Sequence, residues 1–160
     1  MDPLDIRFSM VNAQYGSVFN FTEFGIESAS KARKRVQEYV YACFEGNAGH
    51  DNHAEEIHAL RNEFFSALCD DLHMPKAIES IFAFMKRFPA EVLSHRDKPS
   101  FLELMYDINE IVGVWSISPR PEAEEIPEKV KDLAEQRWNA KASKNFTLAD
   151  DLDRKSTRLN

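Results

Sequence analysis

Apolar residues recur at three- and four-residue steps along most of the chain, the signature of helices that bury one face. From about Thr22 to Glu45 the stripe is Ile26, Ala29, Ala32, Val36, Tyr39, Val40 and Cys43, with Thr22 as N-cap and Gly46-Asn47 as the stop. A second helix runs from about Asn52 to Cys69 on Ile57, Leu60, Phe64, Phe65 and Leu68, and ends at Asp70-Asp71. A third opens at Pro75, a residue pre-set for a first helical turn, and carries Ile78, Ile81, Phe82 and Met85 as far as Pro89. Ser100 and Glu103 form a capping-box signature ahead of Leu104, Met105, Ile108, Ile111 and Val112, closed by Gly113. Pro3 to Gln14 is helix-like through Leu4, Phe8 and Val11. Ser116 to Glu125 reads as an exposed connection before a helix from about Pro127 to Lys144 and a last one after Thr147. Val18 to Phe21 is too short to build a sheet, and no internal repeat is present. The pattern predicts an all-α fold, an antiparallel helical bundle with short connections.

Composition narrows the class. The 160 residues are 43% apolar and 29% charged, which suits a globular domain and excludes a fibrous repeat or wholesale disorder. No apolar stretch approaches the ~20 residues that a membrane-spanning helix needs. The first residues carry two acids and no apolar core of a signal peptide, so a cytoplasmic protein with no membrane partner is expected. The net charge of −7, from 20 basic and 27 acidic residues, disfavours indiscriminate coating of nucleic acid but leaves room for a local basic surface. Cys43 and Cys69 fall inside helices without metal-knuckle spacing and are expected to be buried, reduced thiols.

Catalytic machinery is missing from the pattern: there is no Gly-rich phosphate loop, no G-x-S-x-G elbow and no H-E-x-x-H helix. No catalytic residue is therefore expected. His53 and His58 stand about 140° apart on a helix and cannot share a metal with His50, so no metal site is expected either. Asp70-Asp71 is read as an acid pair at the positive end of the next helix. In the run Lys31-Ala32-Arg33-Lys34-Arg35, the side chains Lys31, Lys34 and Arg35 lie opposite the apolar stripe, where phosphates are met or where water solvates them. On the helix from Pro127, the stripe Val130, Leu133, Ala134 and Trp138 turns cationic at Arg137, Lys141 and Lys144. Those cations either pair with Asp150 or Asp151 or edge a pocket for an anion such as an RNA backbone.

Several segments resemble one family. Asp2-Pro3-Leu4-Asp5-Ile6-Arg7-Phe8, Ala13-Gln14-Tyr15-Gly16-Ser17 and Asn20-Phe21-Thr22 are similar to the segment just beyond the catalytic core of cysteinyl-tRNA synthetases, which reads D-P-x-x-L-R-[FY], a-H-Y-R-S and l-[ND]-[FY]-[ST]. Leu68-Cys69-Asp70-Asp71-Leu72-His73-Met74-Pro75-Lys76-Ala77 resembles that family's D-D-[LF]-N-[TM]-P-x-A-l. Arg137 to Phe146, followed by Ala149-Asp150-Asp151-Leu152, resembles R-x-x-A-[RK]-x-x-K-[DN]-[FYW]-x-x-A-D-x-[IL]-R. Gln14, Gly16 and His73 depart from the family's His, Arg and Asn. Asp153 replaces the closing arginine, and Asp153 to Asn160 resembles a translated sequencing adapter, so these eight residues are set aside as artefact.

The resemblance implies a fragment of a class I synthetase that joins cysteine to tRNA(Cys) using ATP. The K-M-S-K-S and H-I-G-H motifs and the zinc ligands of such enzymes do not occur in these 160 residues, and Met1 is expected to be an internal or arbitrary start. No cofactor is expected in this chain; ATP and zinc would belong to the absent catalytic domain, which becomes a partner together with tRNA(Cys). Residues 1–22 are expected to link to that domain, 23–115 to form the helical bundle called DALR, 116–126 to connect, and 127–152 to complete the bundle as a hairpin. Phe8, Val11, Phe19 and Phe21 of the linking segment are expected to form an exposed apolar patch. Lys31, Lys34, Arg35, Arg137 and Lys141 are the expected tRNA contacts. The alternatives are a free-standing, non-catalytic helical module that binds RNA or a protein, and an amino-acid ligase acting on a small amine.

Overall fold

The computed structural model describes residues 2–46, 49–122 and 135–138. The chain forms two compact units, residues 1–120 and 121–160. The first holds five helices: α1 (Pro3–Val11), α2 (Glu23–Glu45), α3 (Ala54–Cys69), α4 (Met74–Arg87) and α5 (Asp97–Val112). Among the described residues there is no strand, and a single parallel bridge joins Gly49 to Ser94. In the second unit the described residues Glu135 to Trp138 are helical. The rest of the helix expected over 127–144, the helix after Thr147 and the last eight residues lie outside the described residues.

Each helix begins and ends for a local reason. Asp2 caps α1 by accepting from the Leu4 N–H, and Pro3 fills the first position, where a missing N–H costs nothing. Thr22 caps α2 as its sequence predicts, accepting from the Gly25 N–H at 3.1 Å. The α3–α4 turn departs from expectation. Asp70 and Asp71 are exposed and build the turn itself, with Asp71 and Leu72 both at positive φ. The cap of α4 is His73, whose Nδ1 accepts from the Lys76 N–H at 3.3 Å.

Helix α5 starts a turn earlier than Ser100 suggests. Its capping box is Ser94 with Asp97: the Asp97 N–H donates to Ser94 Oγ, and Asp97 Oδ2 accepts from the Ser94 N–H at 3.1 Å. Pro99 sits in the first turn, where it is tolerated, and Ser100 lies inside the helix with its hydroxyl on the Arg96 carbonyl. At the other end Gly113 closes α5 in the left-handed conformation, φ 65°.

The core lies where α2, α3, α4 and α5 meet. Val36, Val40, Phe64, Ile81, Phe101, Met105 and Ile108 are all sealed from water. Phe84 stacks on Phe101 at 5.3 Å, and Tyr39 meets the edge of Phe101 while its hydroxyl donates to the Phe88 carbonyl. Helix α1 lies on α2, and Phe8 belongs to this core, edge-on to Trp115 at 5.8 Å. The expected exposed patch is thus corrected at one end: Phe8 is fully buried and Val11 packs beside it, whereas Phe19 and Phe21 are exposed. Tyr15, Val18 and Phe24 join them at the surface. Cys43 is buried as expected; Cys69 is exposed, because it sits where α3 unwinds into the turn.

Candidate nucleic-acid interface

Helix α2 sorts its basic run by angle. Arg33 falls seven residues after Ile26 and three before Val36, which places it on the buried stripe. There its Nε donates to Asp5 Oδ1 and its Nη2 to Asp2 Oδ2, each at 2.6 Å. A buried guanidinium needs such partners, and the Asp2–Asp5 spacing supplies two carboxylates from one turn of α1. Burial pushes the Asp5 carboxyl upward, but hydrogen bonds from Arg33 and Ser30 and the charges of Arg33 and Lys34 outweigh it and hold Asp5 below the usual carboxylate range.

Lys31, Lys34 and Arg35 point outward and are exposed. Lys31 pairs with Glu27 at 2.8 Å, one turn back along α2. The Arg35 guanidinium lies over the Phe82 ring of α4, 5.7 Å from its centroid. These three therefore share one flank of α2, with Arg35 leaning toward α4. Arg137 lies in the second unit and is half-buried there; Trp138 beside it is exposed, although its stripe position suggested a buried ring. Lys141, Lys144, Asp150 and Asp151 lie outside the described residues.

The segment after α5 is strapped to α2, a feature with no periodic signal in the sequence. Gln37 and Ser116 exchange two hydrogen bonds at 2.8 Å, side chain to backbone in both directions. Arg120 then reaches Glu38 at 2.6 Å and Glu45 at 3.0 Å, and lies over the Tyr41 ring. Upstream, Asn109 holds Val114 and Trp115 by three hydrogen bonds, and the Trp115 indole N–H donates to the Arg33 carbonyl. Arg7 adds a bond from its Nε to the Val112 carbonyl at 3.1 Å. The basic flank of α2 thus stands on a rigid support built from α1, α2 and the strap.

The histidines do not converge. His53 packs against Phe88 at 4.7 Å, His58 shares a hydrogen bond with Asn62 on the far side of α3, and His50 is exposed. Among the described residues no three His, Cys, Asp or Glu side chains gather as a metal would require. No described helix is long and apolar enough to cross a membrane. The groove between α3 and α4, about 650 Å³, has Glu63, Asp70 and Glu79 on its walls against a lone Lys76. That lining repels phosphate, so of these two surfaces the flank of α2 is the one suited to a polyanion.

Comparison with known proteins gives one consistent result. A cysteine--tRNA ligase of Opitutus terrae is 30% identical over 150 residues, which is 94% of this chain and 29% of that protein. Similar matches are the cysteine--tRNA ligases of Protochlamydia amoebophila, 26% identical over 93% of this chain and 32% of theirs, and Halalkalibacterium halodurans, 27% identical over 92% and 33%. The chain thus spans about a third of the length of the curated relatives it matches. No family model and no solved structure matches it.

Proposed function

Because the chain belongs to the cysteine--tRNA ligase family along nearly its whole length, we propose that it forms the tRNA-stem-binding helical part of such an enzyme. The observation that carries this reading is the match over 92–95% of the chain to proteins of that one activity. In this reading residues 1–22 link to the catalytic domain, 23–115 and 127–152 make up the DALR-type bundle, and the whole works in the cytoplasm. ATP, zinc and the formation of cysteinyl-tRNA(Cys) belong to the catalytic domain, so the 160 residues alone do not charge tRNA. Their contribution is positional: a stiff support that holds the stem lets the acceptor end reach a distant site, and such orientation accounts for a large share of many barriers.

Lys31, Lys34 and Arg35 are the phosphate contacts in this reading, with Arg137 and Lys141 as a second group. A fluorescent tRNA(Cys) transcript tests it. Binding should be weak and salt-sensitive, and replacing Lys31, Lys34 and Arg35 together by Ala should weaken it and flatten the salt dependence by about two to three released ions. Unchanged affinity in that triple variant would remove this flank from the interface. The rival reading, a free-standing helical module, is favoured by the acid-lined α3–α4 groove, which suits a basic protein partner. Genomic sequence upstream of Met1 separates the two: an open frame running into K-M-S-K-S supports the synthetase, and an in-frame stop supports the module.

A further inference from the structure

A second polar site lies away from the α2 flank. Where the segment before α3 meets the segment before α5, a pocket of about 340 Å³ is lined by Gly49, His50, Asn52, Ser94, His95 and Arg96. Every lining side chain beyond glycine is of a donor type, the Ser94 proton being committed to Asp97, and none is a carboxylate, although the chain carries a net charge of −7. Asp51 is exposed and does not line it. Asp97 is 1% exposed, and its Oδ2 accepts from the His53 N–H, the Ser94 N–H and the Ser94 hydroxyl. Asn52 turns its Oδ1 to the Ala54 N–H, which leaves its amide protons as donors.

The walls are fixed before any ligand arrives. The Gly49 N–H donates to the Leu93 carbonyl at 2.9 Å, and Lys98 Nζ donates to the Gly46 carbonyl at 2.7 Å. At Gly49 the backbones approach so closely that a Cβ would stand 1.9 Å from the Val92 carbonyl oxygen. The backbone that carries the lining side chains is therefore held in place, so binding need order only the side chains themselves.

We propose that this pocket binds a phosphate group, with the Arg96 guanidinium as its charged donor and His50, Asn52 and His95 completing the contacts. The phosphate is either a free or small-molecule phosphate or a backbone phosphodiester of RNA. The proposal does not depend on the tRNA reading, since its residues and those of the α2 flank are separate.

Amide chemical shifts of the full chain, followed on addition of inorganic phosphate at constant ionic strength, test it. Saturable shifts confined to Gly49, His50, Asn52, Ser94, His95 and Arg96 are expected, with binding about tenfold weaker in Arg96→Ala, the effect of one charge-assisted hydrogen bond. Arg96 is exposed, so the variant should keep the parent's circular dichroism, and Arg96→Lys should restore part of the affinity. A parallel arm uses an RNA hairpin. Weaker hairpin binding in Arg96→Ala assigns the site to RNA backbone, and unchanged hairpin binding beside lost phosphate binding assigns it to free phosphate. No saturable shift with either probe, or identical shifts in wild type and Arg96→Ala, overturns the proposal.

Discussion

Arg33 Nε and Asp5 Oδ1 meet at 2.6 Å in a place where both side chains are more than nine-tenths shielded from water. The pair ties α1 to α2, and it makes each partner dependent on the other. Removing the acid alone, Asp5→Ala, leaves the buried guanidinium with the half-exposed Asp2 as its one carboxylate and the Val114 carbonyl at 3.4 Å, and should cost on the order of 3 kcal/mol in urea unfolding. The double change Asp5→Leu with Arg33→Met should recover most of that loss, because two apolar residues need no partners. A double variant as unstable as the single one would show that the pair contributes more than mutual neutralisation.

Acid should unfold the first unit through Asp5 and Asp97. At Asp97 burial pushes the carboxyl upward, but the Ser94 hydroxyl, the Ser94 and His53 backbone N–H groups and the His53 charge outweigh it and hold it low, as the Arg33 contacts do at Asp5. In the unfolded chain such groups titrate near about 3.9. Below that pH the unfolded chain binds more protons than the folded one, so stability falls, and the fall continues until the folded carboxyls protonate as well. The urea midpoint should stay level from about pH 7 to 5 and drop below about pH 4. Asp5→Asn should flatten part of that drop; an unaltered acid limb would exclude Asp5 as its source.

The two cysteines should separate by reactivity. Burial raises the Cys43 thiol up to about 12, and the side chain is 5% exposed, whereas Cys69 is open to solvent. Iodoacetamide at pH 8 should add one group to the native protein, at Cys69, and two in denaturant, read by mass spectrometry. Prompt labelling of Cys43 in the native state would mean that α2 opens locally.

Phe21, Phe24, Val18 and Tyr15 expose apolar surface around the start of α2, and a neighbouring hollow is lined by Met10, Val11, Phe19, Leu72 and Met74. Surface of this kind drives association. Light scattering should show a mass that grows with concentration, and Phe21→Ser with Phe24→Ser should shift the chain toward monomer. A monodisperse wild-type monomer at high concentration would contradict this.

Helical periodicity made α2, α3 and α4 legible almost to the residue, because each has a continuous stripe and a local stop signal. The start of α5 was not, since Ser100 and Glu103 imitate a capping box that Ser94 and Asp97 supply. Arg33 was hidden inside a charge run. The usable signal was angular: it stands on the stripe between Ile26 and Val36, with two acids three residues apart at Asp2 and Asp5 to meet it. The Arg120 clasp and the pocket beside Gly49 join residues far apart in sequence, and no periodicity reports such meetings. The same wheel that misses long-range partners places Lys31, Lys34 and Arg35 outward, where the structure has them exposed.

The crossing at Gly49 also has a genetic consequence. Glycine codons mutate in one base step to alanine, valine, aspartate, glutamate, serine, cysteine, arginine or tryptophan, or to a stop. Every amino acid in that set carries a Cβ, and the space against the Val92 carbonyl has room for none. This codon should therefore stand out as a cold spot in any saturation screen of the gene, tolerant only of synonymous change.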